Sequence, residues 1–421
     1  VSPETGSGAW YLAPEDKTAT FDANVPGVVT LLSFFAFVIL LCLFIPISLY
    51  VTLEFVKLFL ATAIWGDREM WAAEEDMRTL PRTMGLCEEL GQINYIFSDK
   101  TGTLTQNLME FRKCSIAGVV YGRGHCEVER AIARLKGQRL PPNPPAHDGV
   151  DKGFNFVDER LVAGSWQGSP QEGNIQMFLT HLALNHTVQV GYASGDAESA
   201  GTDPQYQAES QDEWALVHCA RNLGVFFQRR DEAHNVELRV AQQGDPVGAG
   251  ATEVWQVLNV NMFDNIRKRT SVVVSNSAGD LLLLVKGADS SVLPFVEQDA
   301  SFAPTEQHIA EFSNQGLRTL VLAGRALDPE EYADWNKRYQ RVALQASDRD
   351  EAMRMLASEI EESHSEPGKR SALVDGSTPT RRRLRLHGVT ALEDKLQERV
   401  GECIAQLAKA MIKIWVLTGD K

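Results

Sequence analysis

An open α/β sheet of the Rossmann-like kind, split by a long inserted α+β domain and preceded by one membrane-crossing helix, is the architecture this sequence predicts. Three observations carry it. No charged residue occurs between Ala23 and Leu53, and the apolar density runs on past Glu54 and Lys57 to Trp65, whereas a bilayer span needs about 20 apolar residues. Two short apolar runs, 93–97 and 412–417, each lead into a cluster of Thr, Gly and Asp, the pattern of strands whose carboxyl tips hold a ligand. Roughly 310 residues separate the two clusters, enough for a whole domain.

The 421 residues carry 41 Lys and Arg against 56 Asp and Glu, a net charge of -15, which argues against binding along a nucleic-acid backbone. The six cysteines, at 42, 87, 114, 126, 219 and 403, form no Cys-x-x-Cys pair and no zinc-ligand spacing. Neither a disulfide scaffold nor a structural zinc site is indicated, and the bulk of the chain reads as cytosolic. The apolar run predicts one helix over 25–66. No basic stretch precedes it, which speaks against a signal peptide. Within it, Phe44-Ile45-Pro46-Ile47-Ser48-Leu49 contains a proline that removes a backbone donor and presses on the preceding turn, so a kinked or locally unwound helix is expected. Broken membrane helices usually border a transport cavity, because the freed carbonyls need protein or water.

After a charged segment, Ile93-Asn94-Tyr95-Ile96-Phe97 reads as a buried strand that runs into Ser98-Asp99-Lys100-Thr101-Gly102-Thr103-Leu104-Thr105. Asp99 at a strand tip can act as a nucleophile toward a phosphoryl group and form an aspartyl phosphate. Lys100 offsets charge, while Gly102 and the hydroxyls of 101, 103 and 105 let donors approach phosphate oxygens. Further on, Leu396, Val400, Cys403, Ile404, Leu407 and Met411 recur at helical spacing before the apolar run 412–417, which leads into Thr418-Gly419-Asp420. Two such strands suggest neighbouring tips of one parallel sheet around one phosphate. In the insert, Thr270–Val274 and Leu281–Val285 flank a turn through Asn276 and Gly279 and predict a β-hairpin. The run Arg267-Lys268-Arg269 reads either as a nucleotide-steering patch or as a solvated turn.

Asp99-Lys100-Thr101-Gly102-Thr103-Leu104-Thr105 with Thr418-Gly419-Asp420 resembles the phosphorylation domain of P-type ATPases, a haloacid-dehalogenase-like fold. Pro46-Ile47-Ser48-Leu49, the stretch Phe154 to Leu161, Gln207 to Glu213 and Leu392-Glu393-Asp394-Lys395-Leu396-Gln397 are similar to type-IV P-type ATPases, the phospholipid flippases. The resemblance implies a haloacid-dehalogenase-like phosphorylation domain in two parts, 67–120 and 386–421, split by a nucleotide-binding domain over 121–385. An extracytoplasmic loop (1–24) and the family's fourth membrane helix (25–66) precede it. By resemblance, Lys286 lies deep in an adenine pocket, Phe263 stacks on the base, Glu213 contacts the adenine side and Arg318 reaches the phosphates, with Thr418, Gly419 and Asp420 beside them. A π-face, a carboxylate for the exocyclic amine and a planar cation suit those tasks. Asp99 is then the nucleophile beside Lys100 and Thr101, and Mg is held by the Asp99 carboxylate and the Thr101 carbonyl. Pro46, Ile47 and Ser48 border the lipid path. The implied cofactors are ATP and Mg. The implied partners are a phospholipid and the β-subunit glycoprotein, in a eukaryotic endomembrane or plasma membrane.

Leu41, Cys42, Leu43 and Phe44 stand where the family usually carries polar residues, Gln211 replaces its usual proline, Asn185 its cysteine and Met411 its glycine. Nothing resembles the Asp-Gly-Glu-Thr loop of the actuator domain, and the chain stops before the Gly-Asp-Gly-x-Asn-Asp segment, so an internal fragment is expected. Rival readings are a cation-transporting P-type ATPase, which would place acidic ligands nearer the broken turn than Glu54, and a soluble phosphatase, which would carry a second acid where Thr101 stands. An inactive membrane-anchored nucleotide-binding module is the third.

Overall fold

The computed structural model describes residues 26–42, 44–73, 76–144, 154–191, 205–241, 250–344, 348–362 and 383–418. The expected loop 1–24, the segment 363–382, Gly419 and Asp420 lie outside the described residues. The chain divides into two units, one made of residues up to 97 with 405–415, the other of 98–404 with 416–421.

In the first unit the helix expected over 25–66 is interrupted at the expected break around Pro46, giving α1 (Pro26–Cys42) and α2 (Ile47–Gly66). Pro46 has no N–H to continue the ladder, so the chain turns more tightly: Phe44 N–H donates to Leu41 O at 2.9 Å and Ile45 N–H to Cys42 O at 3.2 Å. Pro46 O then accepts from Leu49 N–H at 2.8 Å and opens the next helix. The stretch Thr30–Gly66 is long and apolar enough to cross a membrane, and its large apolar side chains are exposed. In-helix hydroxyls cap their own backbone, Thr52 Oγ1 on Ser48 O at 2.7 Å and Thr62 Oγ1 on Leu58 O at 2.8 Å. A two-residue hairpin, β1 (Trp71–Ala72) with β2 (Met77–Arg78), the short helix α3 (Leu86–Leu90) and β3 (Tyr95–Asp99) follow.

The second unit is built on a nine-stranded antiparallel sheet. Its elements are β4 (Thr105–Ile116), β5 (Val119–Tyr121), α4 (Glu127–Leu135), α5 (Glu172–Leu184), the separate pair β6 (Gln189–Gly191) and β7 (Gln205–Gln207), and α6 (Gln211–Asn222). Next come β8 (Val225–Arg230), β9 (Asn235–Val240), β10 (Ala251–Asn261), β11 (Arg269–Ser275), β12 (Leu281–Gly287) and α7 (Asp289–Val292). Then follow α8 (Phe302–Asn314), β13 (Arg318–Leu327), α9 (Pro329–Ala343), α10 (Arg349–Glu361) and β14 (Arg385–Leu396). The order across the sheet is β5-β4-β14-β13-β12-β11-β10-β9-β8. The predicted hairpin is β11 with β12, Ser275 opposite Leu281 and Thr270 opposite Lys286.

Side-chain alternation sends successive residues of a strand to opposite faces. On β12, Leu282 and Leu284 pack with Phe178, Leu179 and Leu216 of α5 and α6. Leu283 and Val285 pack with Ile309, Trp335 and Ile360 of α8, α9 and α10. Helices on both faces explain why this strand is apolar without a break. The same period puts Lys286 on the face of α5 and α6.

Residues 105–121 and 385–396 form β4, β5 and β14 of the same sheet as the strands of the insert. Continuous antiparallel pairing decides this, since β14 joins β4 on one side and β13 on the other.

The helix α11 (Val400–Lys409) and the strand β15 (Lys413–Leu417) complete the chain. Lys413 N–H donates to Asn94 O at 2.9 Å and the Phe97 and Trp415 rings lie 5.9 Å apart, so β15 runs alongside β3 in the same direction. The expected buried strand is instead exposed at Tyr95 and Phe97. A parallel strand is buried only when layers cover both its faces, and among the described residues β3 has one partner strand. Met411 sits at φ 64°, a left-handed conformation that costs a side chain roughly 1 kcal/mol and a glycine nothing. Its departure from the family's usual glycine therefore strains the turn before β15.

A segment cut at 121–385 loses three adjoining strands and exposes Met109, Phe111, Val389 and Leu392 partners in the core. We expect residues 98–404 to unfold in one cooperative urea transition and 121–385 to aggregate, read by circular dichroism and size-exclusion chromatography.

Candidate functional site

A cleft of about 350 Å³ opens on the α5 and α6 side of the sheet, lined among others by Thr187, Asp212, Glu213, Met262, Phe263, Lys268, Thr270, Lys286 and Leu320. Its floor is an ion pair. Lys286 Nζ donates to Glu213 Oε1 at 3.0 Å and to Asn185 O at 2.8 Å. Thr187 donates to Glu213 Oε2 through its N–H at 2.9 Å and its hydroxyl at 2.7 Å. Burial pushes the Glu213 carboxyl up, but the Lys286 ammonium and the Thr187 donors outweigh it and bring the group down to about 2.

Local sequence explains how these groups arrive. Ser210 and Glu213 have the Ser-x-x-Glu spacing of a capping box, yet Ser210, the N-cap of α6, makes no side-chain cap bond. Glu213 turns away to Lys286 and Thr187 instead. Gln211, where the family usually has proline, is the first helical residue, the position at which proline is favoured. The Lys286-Gly287 step is explained by crowding: a Cβ on Gly287 would meet Arg269 Cβ at 2.4 Å and Lys268 O at 2.8 Å. Asn185, in place of the usual cysteine, is buried, and its Nδ2 donates to Leu284 O at 3.2 Å. Its carbonyl holds Lys286.

Phe263 stands at the rim with 60% of its surface exposed, an unusual position for a core residue. Arg318 lies on the cleft face of β13, since Leu320 and Leu322 of the same register pack into the α5 and α6 core. Its Nη1 donates to Asp212 Oδ1 at 3.2 Å and Oδ2 at 3.3 Å. Burial raises the Asp212 carboxyl, and Arg318 opposes that rise.

The basic run resolves into two roles. Arg267 and Arg269 are buried and ion-paired with Glu361. Lys268 alone of the three lines the cleft, at φ 53°. Sequence reasoning missed Thr187, Met262 and Asp212. Lys268 was signalled only as part of a charge run, and Thr187 had no signal, because it meets Glu213 only through the packing of α5 against α6.

Asp99 is not among the cleft residues. It ends β3, exposed, with its Oδ1 accepting from Lys100 N–H at 2.7 Å. The turn after it folds back on Lys100 O, which accepts from Leu104 N–H at 3.0 Å and Thr105 N–H at 3.2 Å. Gly102, at φ 79°, permits that curl, and its N–H donates to Thr105 Oγ1 at 3.2 Å. Thr101 is exposed, Thr105 is buried and Thr418 follows β15. Pro46, Ile47 and Ser48 open α2, with Ile47 exposed. Glu54 pairs with Lys57 at 3.3 Å, two turns beyond the break.

Two of the family-like motifs are structural. Asp158 is fully buried, accepts from Gly122 N–H at 2.9 Å and pairs with Arg160 at 2.6 Å, fastening 154–161 to the edge strand β5. Glu393 pairs with Arg112 at 2.7 Å and accepts from Glu127 N–H at 2.6 Å.

A family model described as P-type ATPase, cytoplasmic domain N, matches residues 174–399, more than half of the chain. Phospholipid-transporting ATPase 10 of Arabidopsis thaliana is 41% identical over 98% of the chain and 33% of its own length. Probable phospholipid-transporting ATPase IM of Homo sapiens is 38% identical over 99% of the chain and 32% of its own length. Phospholipid-transporting ATPase IC of Homo sapiens is 35% identical over 99% of the chain. The chain thus spans about a third of the length of the curated relatives it matches. With a cleft lined by an exposed aromatic ring and a buried ammonium, a matching N-domain family model and these relatives, the chain belongs to the P-type ATPases, in their type-IV branch.

Proposed function

We propose that this chain is part of an ATP-driven phospholipid translocase, in which the Lys286 cleft binds the nucleotide and Asp99 accepts its γ-phosphoryl group. The observation that carries the reading is Phe263, an exposed ring lining the same cleft as the Lys286 ammonium that Glu213 holds. The ring offers a face to a base, and the ammonium and carboxylate offer a donor and acceptors to its edge. Arg318, which pairs with Asp212 of the cleft lining, supplies the planar cation for phosphate oxygens in this reading.

In the transfer step, one Asp99 carboxylate oxygen bonds to the γ-phosphorus as the bond to the β–γ bridging oxygen breaks, and ADP leaves with that electron pair. The exposed Asp99 carboxylate and the Thr101 carbonyl, two residues on in one turn, are hard oxygen donors that suit Mg. A Mg ion held by these oxygens would supply charge neutralisation for the transferring group. Lys100 adds a cation, and the Gly102 curl keeps a side chain out of the phosphate's approach. Absence of an acid at 101 makes the phosphoenzyme long-lived.

In this reading the segments around β3 and β15 belong to a haloacid-dehalogenase-like phosphorylation domain split by the nucleotide domain, with Thr418, Gly419 and Asp420 beside the nucleotide phosphates. The stretch 1–24 faces the extracytoplasmic side and the bulk faces the cytosol of an endomembrane or plasma membrane, with a β-subunit glycoprotein as partner. Ile47 forms an apolar gate on a lipid path bordered by Pro46 and Ser48. The Glu54 pairing with Lys57 leaves a cation-pump reading without an acidic ligand at the broken turn.

Three measurements test this. In the full 421-residue chain, Phe263→Ala and Lys286→Ala should each weaken ATP binding about tenfold in calorimetric titration; equal affinity in all three removes the cleft assignment. In the full-length transporter, acid-stable, hydroxylamine-labile label from γ-labelled ATP should vanish in Asp99→Asn, and label that persists assigns the acceptor elsewhere. Ile47→Glu should impair fluorescent-lipid translocation more than phosphoenzyme yield, because a carboxylate at membrane depth costs a few kcal/mol and hydrates the gate. Normal transport in that variant leaves Pro46 as a plain kink.

A further inference from the structure

Three of the cleft residues, Met262, Phe263 and Lys268, sit on the connection between β10 and β11. Nothing apolar secures that connection: Met262, Phe263 and Ile266 are all at least 60% exposed. Lys268 is in the left-handed region, a conformation that persists only where surroundings impose it. Its own backbone bonds hold it, Lys268 N–H donating to Asp264 O at 2.6 Å and Lys268 O accepting from Ala288 N–H at 3.1 Å, and the loop's other anchors come from the opposite face of the sheet. Thr270 faces the cleft, so the alternation of β11 turns Arg269 and Ser271 toward α10.

There the carboxylate of Glu361 meets both, and Glu362 Oε1 also accepts from Arg269 Nη2 at 2.5 Å. Glu361, at the end of α10 and 1% exposed, accepts from Arg267 Nη1 at 2.5 Å, Arg269 Nε at 2.6 Å and Ser271 Oγ at 2.6 Å. Arg267 Nη2 donates in turn to Met262 O at 2.6 Å, tying the end of the loop to its start. About two turns earlier on the same helix, Arg354 pairs with Asp264, the residue after Phe263. The helix thus grips the loop at Asp264, directly after Phe263, and again at Arg267 and Arg269, on either side of Lys268.

We propose that Glu361, seconded by Arg354, is a positioning residue for nucleotide binding: α10 holds the loop so that Phe263 and Lys268 face the cleft. This rests on the nucleotide reading above. A carboxylate shared by two buried guanidinium groups is also a stability element, so the test must separate the two roles.

The experiment measures binding of trinitrophenyl-ATP, and its displacement by ATP, to the full 421-residue chain, together with the thermal midpoint. Glu361→Gln and Arg354→Met should each weaken ATP binding roughly three- to tenfold, and neither should weaken it further in a Phe263→Ala/Lys268→Met background, where the loop has nothing left to position. Arg354 is partly exposed, so Arg354→Met should keep the wild-type midpoint and remains informative if Glu361→Gln does not fold. Wild-type affinity in Arg354→Met, or an equal loss from it in the double-variant background, overturns the positioning role. If Phe263→Ala alone leaves affinity unchanged, the nucleotide reading fails, and this inference fails with it.

Discussion

The antiparallel pairing of β4 with β14 is the constraint on which the rest of the larger unit depends. It joins Val389 to Ser115 and Leu396 to Thr105, residues so far apart in sequence that closing the intervening chain costs several kcal/mol of entropy. Buried apolar groups offset it, Met109, Phe111 and Leu392 on the α5 and α6 side and Val389 on the other. The Arg112–Glu393 ion pair, with both side chains about nine-tenths buried, favours this register, because a one-residue slip would turn Glu393 away from Arg112, whose other carboxylate, Glu110 at 2.5 Å, lies on its own strand. The pairing also carries the chain back to where it left. Gln397 N–H donates to Leu104 O at 3.0 Å, so the far end of the insert is stitched to the turn that follows Asp99.

From that closed sheet the cleft follows by parity. Lys286 shares a face with Leu282 and Leu284, Arg318 with Leu320 and Leu322, and Thr270 with Val272 and Val274. Each is the polar end of an otherwise apolar row. The rows run out where α6 begins, and the first turn of α6 brings Asp212 and Glu213 against them. A buried Lys286 without Glu213 would be an uncompensated charge, so the floor of the cleft exists as a pair. The opposite parity of β11 sends Arg269 and Ser271 through to α10, which makes one strand the link between the cleft and the helix behind it.

Residues with the same family resemblance divide by what they touch. Asp158, Arg160, Glu393 and Gln397 spend their polar groups on backbone and side chains of the fold. Phe263 leaves its ring exposed and Asp99 its carboxylate. A motif read as sequence does not distinguish these cases, because a carboxylate that closes a fold and one that waits for a ligand have the same composition. Their surroundings separate them.

The sequence alone determined whatever depends on near neighbours. Pro46 breaks the apolar helix because a missing N–H acts within one turn. The Leu281–Val285 run is a strand beside a turn at Gly279, and Asp99 ends a strand that leads into a glycine-permitted curl, all local consequences of backbone chemistry. The candidate residues Glu213, Phe263 and Lys286 were legible through resemblance. Only the tertiary structure decided that 105–121 and 385–396 pair into the insert's sheet, that Arg267 and Arg269 are internal while Lys268 faces the cleft, that Thr187 bonds to Glu213 and that Glu361 bonds to Arg267 and Arg269. Those outcomes turn on which face of a strand meets which helix. Such contacts form between residues far apart in sequence, and pairing register, not composition, sets them.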